Sequence, residues 1–361
     1  MDRLGFFKQG LSSVLDAASS IIGLKKAADS FVEVVDEALS NIKTDIGFHL
    51  PSIDSAIYDG GASVLDNLAA MGYSTIEVGT YNNGKLHYKS PDEIKELARK
   101  ANIKITAAHL NHPMEKVAPA NEGATEEAAN STEKGVKNCT KEGGEISAKE
   151  SAAESVEIST KESENSRTDD RETAENKPFE MSQADSEWWR NALSISKSLG
   201  CKYVTTSHFP ENPDEATIDR YAAYFDAIGQ MAAEQGMKFC FHPSTAELRR
   251  EGDAESAFEK LAQKVDINKV WFQIDTLEAT EAATNVCDLL ERYEKRILLL
   301  HLHDYGITGD SGVIDFDEIV KQGVKRGVAD IFIEVRDFSL PAMNCVERSY
   351  FYVDNLPSVK Y

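Results

Sequence analysis

The chain has no CxxC pair, no apolar run long enough to span a membrane, and no GxGxxG after its first strand-like segment. Positive charge is also scarce: 39 Lys and Arg stand against 61 Asp and Glu, a net charge of −22. A surface that grips nucleic acid or anionic lipid needs a basic stripe, so both are excluded as expected partners. The missing glycine fingerprint removes support for an open-sheet dinucleotide domain. Five cysteines (Cys139, Cys201, Cys240, Cys287, Cys345) are odd in number and scattered. Cys201 and Cys240 lie within or beside apolar runs and read as small core residues. This usage fits a reducing compartment, and a cytoplasmic location is expected.

Apolar residues make up 41% of the chain, enough for a full core. The rest is organised around Arg296-Ile-Leu-Leu-Leu-His-Leu-His-Asp-Tyr305. Four apolar residues in a row read as a strand buried on both faces, as in a parallel sheet. That strand ends in His301, His303 and Asp304. A buried strand closing in polar chemistry is how a parallel barrel presents a site. The pattern recurs along the chain. Strands are expected at 45–50, 75–78, 103–109, 202–206, 238–242, 269–275, from Ile297, and at 330–335. Helical segments separate them. The clearest is Ser90-Pro91-Asp92-Glu93, a Ser cap with Pro in the first turn and Glu three residues on.

Two segments stand apart. Residues 1–43 read as a helical extension, with Leu11, Val14, Leu15, Ala18, Ile21 and Ile22 at helical spacing. Arg3-Leu-Gly-Phe-Phe-Lys8 also resembles a degenerate twin-arginine export signal, so export is left open. Residues 115–180 are Glu, Lys, Ser, Thr, Ala, Asn and Gly with almost no large apolar side chains. Such a segment buries too little surface to offset its ordering entropy, and a disordered acidic loop insertion after strand three is expected. Without these two segments, about 245 residues remain between Asp45 and Asn355, close to the roughly 250 of an eight-stranded barrel. The expected fold class is α/β, a (β/α)8 TIM barrel over 44–361 that carries the insertion.

At the carboxyl ends of the expected strands stand His49, Glu77, His109 with His112, His208, His242, Asp275, His301 with His303 and Asp304, and Glu334. In a barrel these converge on one mouth. A lone His after a strand is usually only a polar loop residue. A ring of His, Asp and Glu without cysteine suits a divalent ion such as Mn, Mg, Co or Zn.

Four motifs resemble the xylose isomerase-like barrels, in the branch of sugar phosphate isomerases and epimerases with a YHNH pattern. They are Ala69-Ala-Met-Gly-Tyr-Ser-Thr-Ile-Glu-Val78, Phe241-His242-Pro-Ser-Thr-Ala-Glu247-Leu, His301-Leu-His-Asp304, and Gly309-Asp-Ser-Gly312-Val-Ile-Asp315-Phe316. The resemblance implies a metal held by His242, Asp275, His301 and Glu334, with Glu247 as a carboxylate near the substrate. Pro243 and Ser244 depart from the YHNH pattern. It further implies proton transfer next to a carbonyl through an ene-diolate, which the metal stabilises and acid–base groups drive. Glu334, Glu247 and His242 are the expected catalytic groups. His109, His208, His303 and Arg336 are expected to meet the substrate, a small sugar or sugar derivative, and Glu77 either meets it too or is structural. Because His242 stands where typical epimerases have glutamate, a metal-dependent keto-sugar lyase or dehydratase is the alternative. A non-catalytic sugar-binding barrel is the third reading. Abasic-site endonuclease activity, known on this fold, is disfavoured by the charge. Homo-oligomerisation is left open.

Overall fold

A computed structural model describes residues 45–115 and 179–360. The expected N-terminal extension (1–43) and the body of the expected acidic insertion lie outside them. Eight parallel strands close into a barrel in sequence order. They are β1 Ile46–His49, β2 Thr75–Val78, β3 Lys104–His109, β4 Tyr203–Thr206, β5 Lys238–Phe241, β6 Val270–Asp275, β7 Ile297–His303 and β8 Asp330–Glu334. The longer helices are α1 Asp54–Met71, α2 Pro91–Ala101, α3 Gln183–Leu199, α4 Glu215–Glu234, α6 Ala257–Lys264, α9 Phe316–Lys325 and α10 Ala342–Asp354. Short ones follow β5 (α5 Thr245–Leu248) and β6 (α7 Thr276–Glu281, α8 Val286–Arg292), and α11 Pro357–Lys360 follows α10. No helix among the described residues is long and apolar enough to cross a membrane.

Strand side chains alternate between two environments, as the period of two requires. Ile46, Phe48, Ile76, Val204, Phe239, Phe241, Phe272, Ile274, Leu300 and Ile333 pack outward into the main core, against the helices. Ala107, Cys240, Leu299 and Phe332 form a separate cluster with Trp271 and Tyr203, which fills the lower barrel. Gly47 belongs to that interior face. A Cβ there would lie 2.5 Å from the Phe332 ring and 2.6 Å from Thr75 Oγ1, so glycine makes room for the ring. Gly229 does the same for α4, where a Cβ would meet Lys269 O at 2.3 Å.

The capping box read at Ser90 and Glu93 is present: Glu93 N donates to Ser90 Oγ at 3.3 Å, and Ser90 N to Glu93 Oε2 at 2.8 Å. Several elements differ from the sequence reading. The sequence reads as a helix over 64–71, but the first helix begins ten residues earlier, at Asp54, and kinks at Gly61. The sequence reads as a helix over 253–265, but it starts only at Ala257, where Ser256 and Glu259 make a second capping box. The sequence also reads as a helix over 281–293, and this one starts at Val286, with Asn285 as its cap.

Candidate active site at the barrel mouth

Strand register brings the predicted residues to one level. His49 pairs with Glu77, Asp275 with His301, and His303 with Glu334. Above them opens a cavity of about 560 Å³, whose walls include His49, His109, His242, Glu278, Glu334 and Arg336.

Glu77 sits beneath the opening, fully buried. His49 Nδ1 lies 2.6 Å and His301 Nε2 2.7 Å from its Oε2. Gln273 Nε2 donates to its Oε1 at 3.1 Å, and His109 Nδ1 stands 3.9 Å from Oε2. Gln273 Oε1 lies 3.2 Å from His242 Nδ1. Burial would raise the Glu77 pKa, but His301, His109 and His49 outweigh it and hold the carboxyl well below its ordinary range. Burial likewise opposes charge on His301, yet Glu77 and Glu334 together push its pKa up to about 10. His242 moves the other way. Burial, then His301 and His109, lower it well below an ordinary histidine.

Asp275 Oδ1 caps α7 through Leu277 N (2.8 Å) and Glu278 N (2.9 Å), while Oδ2 meets His303 Nδ1 at 2.9 Å. Arg336 bridges the rim, with Nε 2.5 Å from Glu334 Oε1 and Nη1 2.9 Å from Glu278 Oε1. Burial opposes ionisation of Glu334, but His49, His301 and Arg336 hold its pKa well down.

The residues present fit a divalent ion. His301 Nδ1 and Glu334 Oε2 face each other at 2.5 Å, both buried. Two lone-pair atoms facing each other out of water need a proton or a cation between them. His242, Asp275 and His301 bring ligand atoms within 4.8 Å of one another, and so do Asp275, His303 and Glu334. A third such group joins His49, Glu77, His109 and His301. These nitrogen and oxygen donors suit several divalent ions.

Of the remaining sequence-predicted residues, His109 lines the cavity and leaves Nδ1 without a hydrogen bond. Arg336 also lines it. Glu247 is placed differently from the expectation. It is buried, and its Oε2 accepts Ser244 N at 2.7 Å in a capping box that starts α5. His208 is half-buried after β4, and its backbone N donates to Thr206 Oγ1. His112 is tied to Asp185 at 2.8 Å and stacked on Trp188. Asp304 accepts Gly309 N and Ser311 N, which anchors the loop after β7. Gln273 and Glu278 were not singled out from sequence. Gln273 lies two residues before Asp275 on the same strand face, and Glu278 three after it on a helix, so both spacings were readable.

The model of the family described as xylose isomerase-like TIM barrel matches residues 168–342. No curated protein matches the sequence. Among solved structures, a sugar phosphate isomerase/epimerase from Parabacteroides distasonis is similar at 19% identity and TM-score 0.65, covering 88% of this chain and 100% of that one. A D-allulose 3-epimerase from Methylomonas sp. is similar at 11% identity and TM-score 0.56, covering 86% and 97%. The IolI protein with a bound zinc atom is similar at 14% identity and TM-score 0.54, covering 88% and 99%. At these identities the likeness speaks for the fold.

Proposed function

We propose that this chain, a xylose isomerase-like TIM barrel, is a divalent-metal-dependent sugar isomerase or epimerase. The observation that carries the reading is the convergence of buried ligand atoms within 4.8 Å of one another in two groups that share Asp275, one with His242 and His301 and the other with His303 and Glu334. His242, Asp275, His301 and Glu334 would hold the ion. When bound, a divalent ion polarises the substrate carbonyl and its neighbouring hydroxyl and stabilises the ene-diolate.

The chain's own groups supply the proton transfers. Glu334, whose Oε1 is steadied by Arg336 Nε, takes the proton from the carbon next to the carbonyl. Across the mouth, the His109 and His242 rings meet at a tilt of 60°, with centroids 5.2 Å apart. His109, which lines the cavity, is placed to return a proton from that side. His303, Asn111 and Ser207 offer polar contacts to hydroxyl groups, the last two on the cavity wall. Glu247 is committed to its cap and takes no part in this scheme. One observation keeps a second reading alive. The strand-five group is His242 and not a carboxylate, so Glu334 is the one carboxylate base of the set, which also suits β-elimination from a keto-sugar.

Metal content by mass spectrometry, on wild type and Asp275→Ala, tests the site. About one ion per wild-type chain and none in the variant is expected. Incubation of ketoses and 3-keto-sugars in D2O then reads the chemistry by NMR. Deuterium next to the carbonyl with an epimer or isomer as product supports the first reading, and loss of water or an alcohol supports the second. A wild-type protein without metal, and unstabilised by added Mn or Zn, overturns both.

A further inference from the structure

A neutral imidazole has one N–H and one lone pair, and a partner on one nitrogen fixes what the other can do. Beneath the mouth that partner is Glu77, a carboxylate that only accepts. The nitrogens it faces, His49 Nδ1 at 2.6 Å and His301 Nε2 at 2.7 Å, therefore carry the hydrogens. The opposite tautomers would set lone pairs against a carboxylate oxygen out of water. Gln273 extends the logic. The Glu77 carboxylate favours the orientation in which Gln273 Nε2 donates to Glu77 Oε1 at 3.1 Å, and Gln273 Oε1 then faces His242 Nδ1 at 3.2 Å. His242 Nδ1 then carries its hydrogen too. Gln273 Nε2 is also 2.8 Å from His301 Nε2, and both donors share the Glu77 carboxylate.

We propose that Glu77 and Gln273 are positioning residues that hold hydrogens on His301 Nε2, His49 Nδ1 and His242 Nδ1, so that the opposite ring nitrogens of these three mouth histidines are the ones left for a ligand. Glu77 acts on His49 and His301 directly, and Gln273 passes its orientation to His242. Outer carboxylates that orient ligating histidines in this way typically raise metal affinity by roughly 10–100-fold. The inference about metal affinity rests on the metal reading of the site. The tautomers do not.

The test uses full-length protein with 15N-labelled histidine, stripped of metal, and the variants Glu77→Ala, Glu77→Gln and Gln273→Leu. Long-range 1H–15N NMR reports which ring nitrogen is protonated. Wild type should show Nδ1–H on both His49 and His242. Glu77→Ala should lose both, Gln273→Leu should lose that of His242 alone, and Glu77→Gln, which keeps an acceptor oxygen, should restore that of His49. Titration with Co2+ should give an affinity lower by roughly 10–100-fold in Glu77→Ala, and by less in Gln273→Leu. Unchanged tautomers in a folded Glu77→Ala overturn the proposal. If that variant does not fold, an unchanged His242 in Gln273→Leu overturns it instead. Wild type that binds no Co2+ overturns the metal reading, while the NMR pattern still decides the positioning claim.

Discussion

Two layers of the barrel interior are separated by a single pleat. In the lower layer Ala107, Cys240, Leu299 and Phe332 pack against one another, with Trp271 at their edge. Two residues further along the same strands stand His109, His242, His301, Glu334 and Gln273. Both layers are almost wholly buried. The lower one is held by close packing, which is non-directional and tolerates hydrophobic exchange of equal volume. The upper one is held by directional hydrogen bonds in a low-dielectric setting, where an unpaired group is costly. The difference teaches a division of labour. The dry layer stabilises the barrel, and the wet layer keeps a few lone pairs unsatisfied toward the mouth.

If that division is right, damage to the dry layer should cost stability and spare ligand binding. Phe332→Ala removes a fully buried ring from the barrel interior and should cost roughly 3–5 kcal/mol. Urea unfolding would measure it, and Co2+ titration of the folded fraction should give a near wild-type affinity. A large loss of affinity with a small loss of stability would break the comparison. The wet layer makes the reciprocal prediction. A divalent ion at a hundredfold above its dissociation constant should stabilise wild type by about 2.7 kcal/mol, and chelation should remove that gain. Phe332→Ala should gain as much from the ion as wild type does.

A subtler break comes from overfilling the dry layer. The Cβ of Gly47→Ala would sit 2.5 Å from Phe332, and should cost about 1–3 kcal/mol. Phe332→Leu in the same chain should recover part of that cost, because residues in contact do not add. Denaturant midpoints of the two single variants and the double variant give the coupling. Strict additivity would mean that the strands shift to absorb the methyl group and that the layer is softer than its packing suggests.

The barrel was legible because its strands are punctuated in ways that local chemistry enforces. The run Ile297–Leu300 into His301 names both the buried wall and the level of the mouth. The caps at Ser90 and Asp214 name helix starts. That the strand-end residues share one mouth followed from eight-fold alternation, while the choice of His242, Asp275, His301 and Glu334 among them came from the resemblance. The polar supports were harder to read. Gln273 neither titrates nor ligates in the usual way, so nothing in its type drew attention, although its strand position did point inward. Glu77 could be placed but not assigned, since its role depends on which nitrogens of His49 and His301 reach it. Short helices such as α5 and α7 carry too few residues to show a period.

Glu247 is the instructive case, and it supplies the smallest effect. Its place in Phe241-His242-Pro-Ser-Thr-Ala-Glu247 suggested a carboxylate near the substrate. The same residues, Ser244-Thr-Ala-Glu247, spell a capping box, and that is how the side chain is used: Ser244 N donates to it at 2.7 Å. Burial raises its pKa, with Ser244 opposing. If it is a cap, Glu247→Ala should cost about 1 kcal/mol and Glu247→Gln less, since the amide oxygen still accepts from Ser244 N. Turnover should change little in either variant, because the carboxylate faces backbone and not the cavity. If instead Glu247 moves protons, Glu247→Gln should be folded, metal-loaded and inactive. Thermal melts read beside turnover in the two variants separate a group that shapes the loop after β5 from one that works within it.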